Sequence, residues 1–412
     1  MLNWIQRFNI FCLLDSNSYS LTPHTYDYVA GAGCVTFLDG TEDDFSAVDA
    51  FLDNNQWTFA HLSYNLGLSF HSITSVQEDR LQFPAFFFFK PEVVLYIKGD
   101  RLHIVYSKAD EVYQQIMCCS DQVSAGEMDL NVQHRGSKEA YLQTVKLLQD
   151  HIRRGDCYEI NFCQEFFSER AIINPAAAFQ ALSAISPNPF SAFYKLNDRY
   201  LMCASPERFL NKQEDRLVSQ PMKGTARRVP GNTGADNAAA TELYLSEKDR
   251  SENVMVVDLV RNDLSIVCKE GTVVADELFG IQTFPGLHQM VSTVSGTVSS
   301  GTFFSQIIKA TFPMGSMTGA PKQSVMQLID RYEKSNRGIF SGSVGYISPN
   351  GDFDFNVIIR SMMYNALSKY FSYQVGSGIT TYSDVDNEWE ECLLKAEGIR
   401  RLLTATSVPK EG

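Results

Sequence analysis

The alternation of apolar and polar residues is clearest near the middle of the chain, where it predicts a helix followed by a strand. Between residues 137 and 155, apolar side chains recur at i, i+4, i+7 and i+11, at Tyr141, Val145, Leu148 and Ile152. Ser137 can cap this helix and Gly155 can end it. Residues 158–166 then alternate with a period of two, which predicts a strand with one buried face.

The remaining segments show the same two patterns in separate groups. Short strand-like runs separated by turns fill residues 1–120 and predict antiparallel sheet. Further strands are predicted at residues 343–347, 353–362 and 370–375, with Asn350-Gly351 as a hairpin turn. Helices are predicted at residues 238–261 and 303–310, from Pro321 onward, and over about twenty residues near the C-terminus.

This order of elements predicts an α+β fold with large antiparallel sheets, because the strands come in hairpin groups without regular βαβ alternation. The polar, irregular stretch at residues 120–136 is the predicted linker. We therefore expect an N-terminal lobe of residues 1–125 and a second region of residues 137–406.

Net charge, the length of apolar runs and the cysteine pattern exclude several classes of protein. The 412 residues include 35 Lys and Arg against 48 Asp and Glu, a net charge of −13 that excludes nucleic-acid binding through a basic field. No apolar run approaches the roughly 18 residues of a membrane-spanning helix. Nine cysteines without a C-x-x-C pair, and an N-terminus without a secretory cleavage site, predict a cytoplasmic protein with reduced thiols and no zinc site.

The last predicted helix carries charges spaced for chemistry. Glu388, Glu391 and Lys395 recur at i, i+3 and i+7 and share one face. Two such carboxylates fit Mg²⁺, which completes its coordination with water and substrate oxygens. The same spacing is typical of a solvated face with a Glu391–Lys395 ion pair, and Glu252 on an earlier helix, three residues after Asp249, leaves the same two interpretations open.

Two further segments have turn-like composition. Gly376-Ser377-Gly378, placed after a predicted strand, would let backbone amides approach an anion, or would only make a tight turn. Lys223 lies between Pro221 and Gly224 and would be tethered on a short loop, although most isolated lysines are surface charges.

Nine segments in order give the chain a family resemblance. They read GDCYEINFCQEF, SPERF, PMKGT, SEKDRSENVMVVDLVRNDL, FPGLHQMVS, FPMGSMTGAPK, GSVGYIS, IIRSM and GSGIT. Together they resemble the chorismate-utilising enzymes, and among these most closely the first component of aminodeoxychorismate synthases, over about residues 137–403. The resemblance implies a two-lobed β-sandwich with helices outside, and Mg²⁺-dependent conversion of chorismate and ammonia to 4-amino-4-deoxychorismate for p-aminobenzoate and folate synthesis.

The resemblance also implies roles for particular residues. Lys223 would be the nucleophile that attacks ring carbon 2, and Glu207 the general acid that protonates the leaving 4-hydroxyl. Glu252 and Glu391 would bind Mg²⁺, with Glu388 assisting through water. The residues implied to bind substrate are Arg360, Gly376, Ser377, Gly378, Lys395, Thr318 and His288.

Two positions separate the activities within this family. In the segment that here reads PMKGT, anthranilate synthases have a sequence similar to PIAGT, with alanine, and aminodeoxychorismate synthases have one similar to PIKGT, with lysine. This chain has lysine at that position, Lys223. Isochorismate and salicylate synthases use a general-base lysine at the position that matches Glu159. Lys223 must lose its proton to act as a nucleophile, and we expect burial and neighbouring cations such as Arg228 or Lys322 to lower its pKa.

The sequence leaves alternatives open for the N-terminal segment and for the activity. Leu14, Asp15 and Ser16 are similar to a segment that contributes to a tryptophan-binding regulatory pocket in anthranilate synthases, or they are core packing. The chain could instead be an anthranilate synthase component I or a non-catalytic, tryptophan-binding regulatory homologue. With no recognisable glutaminase segment, it is expected to take ammonia from solution or from a partner glutamine amidotransferase subunit.

Overall fold

The computed structural model describes residues 1–41, 44–53, 55–120, 123 and 128–406. Its helices are α1 (Leu2–Ile5), α2 (Ala47–Leu52), α3 (Tyr64–Phe70), α4 (Ala109–Met117), α5 (Lys138–Arg154), α6 (Pro175–Ile185), α7 (Thr233–Leu245), α8 (Glu247–Ser265), α9 (Phe304–Thr311), α10 (Lys322–Tyr332), α11 (Val385–Lys395) and α12 (Glu397–Thr406).

The strands form two large sheets. They are β1 (Ile10–Asp15), β2 (Tyr28–Ala32), β3 (Thr36–Gly40), β4 (Thr58–Leu62), β5 (Phe86–Lys90), β6 (Val93–Lys98), β7 (Arg101–Val105), β8 (Gln133–His134), β9 (Glu159–Ser168), β10 (Phe190–Leu196), β11 (Arg199–Ser205), β12 (Arg208–Gln213), β13 (Arg216–Gln220), β14 (Met222–Arg227), β15 (Val274–Thr283), β16 (Leu287–Thr297), β17 (Gly319–Ala320), β18 (Ser343–Ile347), β19 (Phe353–Asn356), β20 (Ser361–Asn365) and β21 (Tyr370–Ile379).

Both sheets are antiparallel throughout the described pairings, which confirms the α+β prediction. The first sheet has the order β17-β9-β21-β20-β11-β10-β1-β2-β6-β7, with β8 beside β9. The second has the order β14-β16-β13-β12-β19-β18-β4-β5-β3, with β15 beside β16. One core lies where apolar residues of both sheets meet, and a second lies between the first sheet and helices that include α5, α6 and α11.

Strands from both ends of the chain interleave in each sheet. In the first sheet β1 pairs with β10, and in the second β4 pairs with β18. Residue 125, where the predicted lobe ends, and part of the predicted linker lie outside the described residues. The division into residues 1–125 and 137–406 therefore stays a prediction.

The helix predicted after Ser137 is confirmed, with the Ser137 hydroxyl accepting a hydrogen bond from the Ala140 amide and with Gly155 at a φ of 84°. The next strand, β9, differs from its prediction because both of its faces are buried. It lies between β21 and the short strands β8 and β17, so that helices cover one face and the other sheet covers the other.

Two predicted helices are each divided in the structure. The segment at residues 238–261 belongs to α7 and α8, which are separated at Ser246, whose side chain caps α8 by accepting from the Asp249 amide. The C-terminal helix is divided into α11 and α12 at Ala396. The apolar spacing continues across Ala396, so periodicity alone does not show that break. Residues 246–253 contain no apolar side chain, and the break at Ser246 is marked by a capping residue instead.

The strand predicted at residues 353–362 is also wrong in extent. It is two strands, β19 in the second sheet and β20 in the first, and the chain crosses between the sheets at residues 357–360. Arg360 ends this crossing with a φ of 52°, so it precedes a strand rather than lying within one. In the described residues, no helix has the length and apolar character needed to cross a membrane.

Candidate active site

A cavity of about 80 Å³ lies where the two sheets approach each other at β9, β14, β16 and β21. Its lining combines an acid, three cations, amides and an aromatic wall. The lining residues are Asn161, Pro206, Glu207, Met222, Lys223, Gln289, Ser316, Met317, Phe340, Ile359, Arg360, Gln374, Val375, Gly376 and Lys395. The structure thus brings together Lys223, Glu207, Arg360, Gly376 and Lys395 from the predicted set.

Lys223 is buried in this cavity and is held by a carboxylate from the opposite sheet. It lies on β14, and its Nζ contacts Oε1 of Glu159 at the start of β9. The Lys223 side chain is 12% exposed and that of Glu159 is 4% exposed. A lysine placed in this way is a buried group with a fixed partner and is not a surface charge.

The expected lowering of the Lys223 pKa is not found. Burial lowers this pKa, but the carboxylates of Glu159, Glu252 and Glu391 outweigh burial and hold it above its ordinary value. The predicted neighbouring cations are engaged elsewhere. Arg228 pairs with Asp236 at 2.8 Å and Lys322 pairs with Asp263 at 2.7 Å.

Glu207 has the environment expected of a general acid. It lies in the turn between β11 and β12, is 4% exposed, and accepts a hydrogen bond from the Ser316 hydroxyl at 2.6 Å. Burial raises the pKa of Glu207 to about 7, more than the hydrogen bond from Ser316 lowers it. Near neutral pH a substantial fraction of this carboxyl is therefore protonated.

Two cations supply the anion-binding side of the cavity. Arg360 donates to Gln289 Oε1 at 3.3 Å, and burial lowers the pKa of Arg360 to about 10, which still leaves it charged near neutral pH. Lys395 pairs with Glu391 at 2.6 Å and donates to the carbonyl of Gly376 at 3.1 Å. A guanidinium and an ammonium group at one cavity can bind a carboxylate by charge-assisted hydrogen bonds.

The predicted glycine loop is part of a strand. Gly376, Ser377 and Gly378 lie in β21 and pair with β9. The Ser377 hydroxyl lies 3.0 Å from the Tyr141 hydroxyl, on the side of the helices and away from the cavity lining. A Cβ at position 378 would collide with the amine of Lys223, so a side chain there would displace the lysine from its present position.

Four predicted substrate-binding residues are not part of the lining: Ser377 and Gly378 on β21, and also His288 and Thr318. The His288 ring is held by Asp236 at 3.1 Å and by Thr283 at 3.0 Å. The adjacent Gln289 lines the cavity because successive strand residues face opposite sides. Thr318 is fully buried and donates to the carbonyl of Met314 at 3.1 Å, so it stabilises the turn that positions Ser316.

The predicted metal-binding carboxylates converge from α8 and α11 beside this cavity. The Nζ of Lys248 lies 3.7 Å from Glu252 Oε1 and 3.5 Å from Glu388 Oε1. A lysine ammonium group therefore lies between the carboxylates of the two helices. Oε1 of Glu252 is buried without a hydrogen-bond partner, and burial raises the pKa of Glu252 to about 7. An unpartnered buried carboxylate oxygen fits a cation ligand.

These residues would not enclose an ion by themselves. Among the residues that the structure describes, no group of three or more His, Cys, Asp and Glu side chains is arranged to hold a metal. Two carboxylates suffice for Mg²⁺ when water and substrate oxygens complete its octahedron. Glu252 and Glu391, with Glu388 nearby, fit such a shared site.

Some residues of the site were missed from the sequence. The sequence identifies Glu159 only as the position that differs from isochorismate synthases, and it points to Thr318 and His288 where the structure places Ser316 and Gln289 in the lining. The residues of β16 do not alternate between apolar and polar, and almost all of them are buried, so no local signal separates Gln289 from His288. No local signal shows that Glu159 meets Lys223, because the contact joins two sheets.

Leu14, Asp15 and Ser16 line a separate cavity of about 60 Å³ together with Arg208 and Asp354. The Arg208 guanidinium pairs with Asp354 at 3.0 Å inside this region, and burial raises the pKa of Asp15. Ligand binding by these three residues stays a prediction.

The chain is similar to known proteins over most of its length. The family of chorismate binding enzymes matches residues 31–401. "Aminodeoxychorismate synthase component 1" of Escherichia coli K12 is 31% identical over 344 residues, which cover 82% of this chain and 75% of that protein. "Aminodeoxychorismate synthase" of Streptomyces griseus is 39% identical over 275 residues, 66% of this chain, and the match spans only 37% of that longer protein.

Two solved structures share the fold. Anthranilate synthase component I from Streptococcus pneumoniae superposes with a TM-score of 0.80 at 21% identity, covering 91% of this chain and 92% of that one. The menaquinone-specific isochorismate synthase from Escherichia coli superposes with a TM-score of 0.78 at 17% identity, covering 98% and 91%. These similarities show the same two-sheet architecture and extend over nearly the whole chain.

Proposed function

The chain belongs to the chorismate binding enzymes, and on that premise we propose that it converts chorismate and ammonia to 4-amino-4-deoxychorismate. The observation that carries the proposal is the position of Lys223, a buried amine in the same cavity as Glu207 and Arg360. The names of the Escherichia coli and Streptomyces relatives support the same reaction.

Binding of the substrate would depend on local charge. Chorismate carries two carboxylates, and the chain has a net charge of −13, so its overall field repels the substrate. Arg360 would bind the enolpyruvyl carboxylate through the two parallel N–H groups of its guanidinium, with Lys395 as the second cation. Both cations already have a neutral partner in the lining, because Arg360 donates to Gln289 Oε1 and Lys395 donates to the Gly376 carbonyl.

The chemistry proposed for the chain's own residues is a double displacement. The neutral amine of Lys223 attacks ring carbon 2, both ring double bonds shift, and the 4-hydroxyl leaves as water after taking a proton from Glu207. Ammonia then adds at carbon 4, both double bonds shift back, and Lys223 leaves as a free amine. Glu207 recovers its proton from solvent, so the net reaction exchanges hydroxyl for amine.

The residues proposed to hold Mg²⁺ are Glu252 and Glu391, with Glu388 acting through water. When bound there, the ion would offset the charge of the ring carboxylate and favour departure of the hydroxyl. The support for this assignment is the unpartnered, buried Oε1 of Glu252 and the attraction of Lys248 into the same space.

The nitrogen source proposed is ammonia, delivered in the cell by a separate glutamine amidotransferase. The Escherichia coli relative is named a component 1, which supports a partner component. We place the reaction in the cytoplasm, on the cysteine pattern of the sequence.

Product identification tests the proposal. The purified chain is incubated with chorismate, ammonium and Mg²⁺, and the products are identified by mass spectrometry. We expect 4-amino-4-deoxychorismate, which retains the enolpyruvyl group. Anthranilate as the main product would overturn the proposal in favour of the anthranilate synthase reaction, and unchanged chorismate would favour the non-catalytic alternative.

Replacement of the nucleophile tests the covalent route. Lys223→Ala should slow product formation by about 100-fold or more, because one difficult displacement is no longer divided into two easier steps. Lys212→Ala, on β12 of the same sheet, is the matched control and should keep the wild-type rate. Wild-type turnover by Lys223→Ala would remove Lys223 from the mechanism.

A further inference from the structure

Glu159 and Lys223 form an ion pair that joins the two sheets at the cavity. Glu159 begins β9 of the first sheet, Lys223 is the second residue of β14 in the second sheet, and Glu159 Oε1 contacts Lys223 Nζ. The other oxygen of Glu159, Oε2, is buried and has no hydrogen-bond partner in the described structure. The carboxylate is thus only half satisfied.

The backbone around the pair leaves the lysine little freedom. Position 378 on β21 has no side chain, and its ideal Cβ would collide with the Lys223 amine and lie 2.8 Å from Glu159 Oε1. Asn253 on α8 lies near the backbone of the same lysine, with its Nδ2 at 3.5 Å from the Lys223 carbonyl. The amine is therefore held between β9 and β21, while α8 contacts the backbone that carries it.

A protonated lysine cannot attack carbon, so its proton needs an acceptor within reach. The charged groups that influence Lys223 and its cavity are Glu159, Glu207, Lys248, Glu252, Arg360, Glu391 and Lys395. Among the described residues, Glu159 is the carboxylate in contact with the amine. Glu207 must itself carry a proton to act as the acid, and Glu391 is engaged by Lys395.

We infer that Glu159 is a catalytic residue, the base that takes the proton of Lys223 and returns it at the end of the cycle. This role rests on the proposed function of Lys223 as the nucleophile. The proton moves from Nζ to the Glu159 carboxylate, and the resulting neutral amine forms the bond to carbon 2. When ammonia displaces the lysine, the free amine takes the proton back from Glu159.

Burial makes this transfer accessible. In water a carboxylate and an ammonium group stay charged, but in a desolvated site the neutral acid and amine pair is much closer in energy. A bound cation at Glu252 and Glu391 would also weaken the hold of those carboxylates on the protonated lysine. Oε1 of Glu159 already contacts Nζ, so the proton passes to it directly, and no other hydrogen bond of the carboxylate has to break because Oε2 has none.

The test compares Glu159→Gln with Glu165→Gln, a matched control on the same strand. Glu165 is 4% exposed against 3% for Glu159, but it binds Arg135 and Tyr370 far from the lysine. Adduct formation on Lys223 is followed by intact-mass spectrometry after quenching, with chorismate and without ammonia. Glu159→Gln should form the adduct about 100-fold more slowly than wild type at pH 7, and Glu165→Gln should not.

The pH dependence separates a base from a structural support. Without Glu159 the lysine must lose its proton to solvent, which becomes easier as the pH rises. The factor by which Glu159→Gln forms the adduct more slowly than wild type should therefore fall about tenfold between pH 7 and pH 9. A packing defect would not change with pH. Glu159→Asp keeps a carboxylate one methylene further away and should recover part of the rate. If Glu159→Gln fails to fold, this second variant and its pH profile still decide the question.

Three results would overturn the inference. They are an unchanged adduct rate in Glu159→Gln, a faster rate, which would mean that Glu159 only keeps the lysine protonated, and a deficit that is the same at every pH. The underlying function is tested separately, because Lys223→Ala should form no adduct and little product. If Lys223→Ala is slow and Glu159→Gln is not, the role of Glu159 alone is wrong; if Lys223→Ala retains its rate, the covalent route is wrong.

Discussion

Glu207 shows how one buried side chain can set the pH range of the reaction. It is 4% exposed, its partner is the Ser316 hydroxyl at 2.6 Å, and burial raises its pKa to about 7. A carboxyl that donates a proton is competent below its pKa and incompetent above it. The acid is therefore present at neutral pH and is progressively lost at alkaline pH.

We predict that the rate of hydroxyl departure falls as the pH rises through about 7, because Glu207 ionises there. Glu207→Gln should lower the rate by about 100-fold and remove this alkaline limb, since the amide does not titrate. The measurement is kcat against pH for both proteins at saturating chorismate and ammonia. An alkaline limb that persists unchanged in Glu207→Gln would assign it to another group.

At this scale, the sequence predicted those residues whose motifs are contiguous. Lys223 and Glu207 follow from short segments that fold locally around them, and the structure places both in one cavity. The contact between Lys223 and Glu159 could not be predicted, because it joins residues that are 64 positions apart and lie in different sheets. His288 was predicted instead of Gln289 because a motif does not show which way a strand faces.

Among the elements, α8 and α11 present acidic side chains to each other across the candidate metal site. Glu252 on α8 is buried with an unpartnered oxygen, and Glu388 on α11 is 2% exposed. Burying two such carboxylates costs free energy of folding, which Lys248, at 3.7 Å from Glu252 and 3.5 Å from Glu388, offsets only in part.

We predict that Glu252→Gln abolishes Mg²⁺-dependent activity and yet raises the melting temperature of the metal-free protein. Removing a buried carboxylate charge should stabilise the fold by about 1 kcal/mol, or about 2 °C. Glu390→Gln on α11 is the control, because Glu390 is 66% exposed. The checks are calorimetry without metal and activity across Mg²⁺ concentrations; a lower melting temperature with intact Mg²⁺ dependence would return Glu252 to a structural role.

Arg337 connects three elements behind the cavity. Its guanidinium, 2% exposed, pairs with Glu333 after α10, donates to the Asn161 carbonyl on β9 at 2.8 Å, and donates to the Met317 carbonyl at 2.6 Å. Met317 belongs to the 3₁₀ turn Gly315–Met317, which also carries Ser316, the partner of Glu207.

Arg337→Ala should destabilise the protein by about 3–5 kcal/mol, because it leaves Glu333 buried with an uncompensated charge. Arg331→Ala, on α10 itself, is the control and should have little effect. Denaturant unfolding of the three proteins gives the comparison. A loss below about 1 kcal/mol would show that the network around Arg337 is replaced by water.

The elements whose predicted bounds are wrong are those that the structure divides in two. Residues 353–362 read as one strand, yet the chain passes from the second sheet to the first at residues 357–360 and thereby points Arg360 into the cavity. The two helices that meet at Ser246 were predicted as one, although residues 246–253 contain no apolar side chain and serine is a residue that commonly caps a helix. Antiparallel sheets and the position of α5 were predicted because those signals are local.

At the scale of the whole molecule, the purified chain can show which nitrogen source the reaction uses. We predict that the purified chain uses ammonium salts but not glutamine, and that glutamine becomes a substrate when a separate amidotransferase is added. Turnover with subsaturating ammonium should follow the concentration of free ammonia, because only the neutral form is a nucleophile. The measurement is product formation from each nitrogen source at several pH values. The same pH series at saturating ammonia gives the fall in rate that is due to Glu207, and the subsaturating rates are divided by it.

Two results would contradict that prediction. Glutamine-supported turnover by the isolated chain would mean that it hydrolyses the amide itself. A rate independent of free ammonia under subsaturating conditions would mean that ammonium, or another amine, is the species that binds.

The interleaving of the two sheets has a consequence for how the chain is made. Strand β4 pairs on one side with β5, but its partner on the other side, β18, begins 281 residues later in the chain (343 − 62 = 281). Until the ribosome has passed residue 347, one edge of β4 and its buried side chains are open, and such edges pair readily with other chains. The nascent protein is therefore most vulnerable to aggregation late in translation, and a truncated messenger would release chains with that edge still exposed.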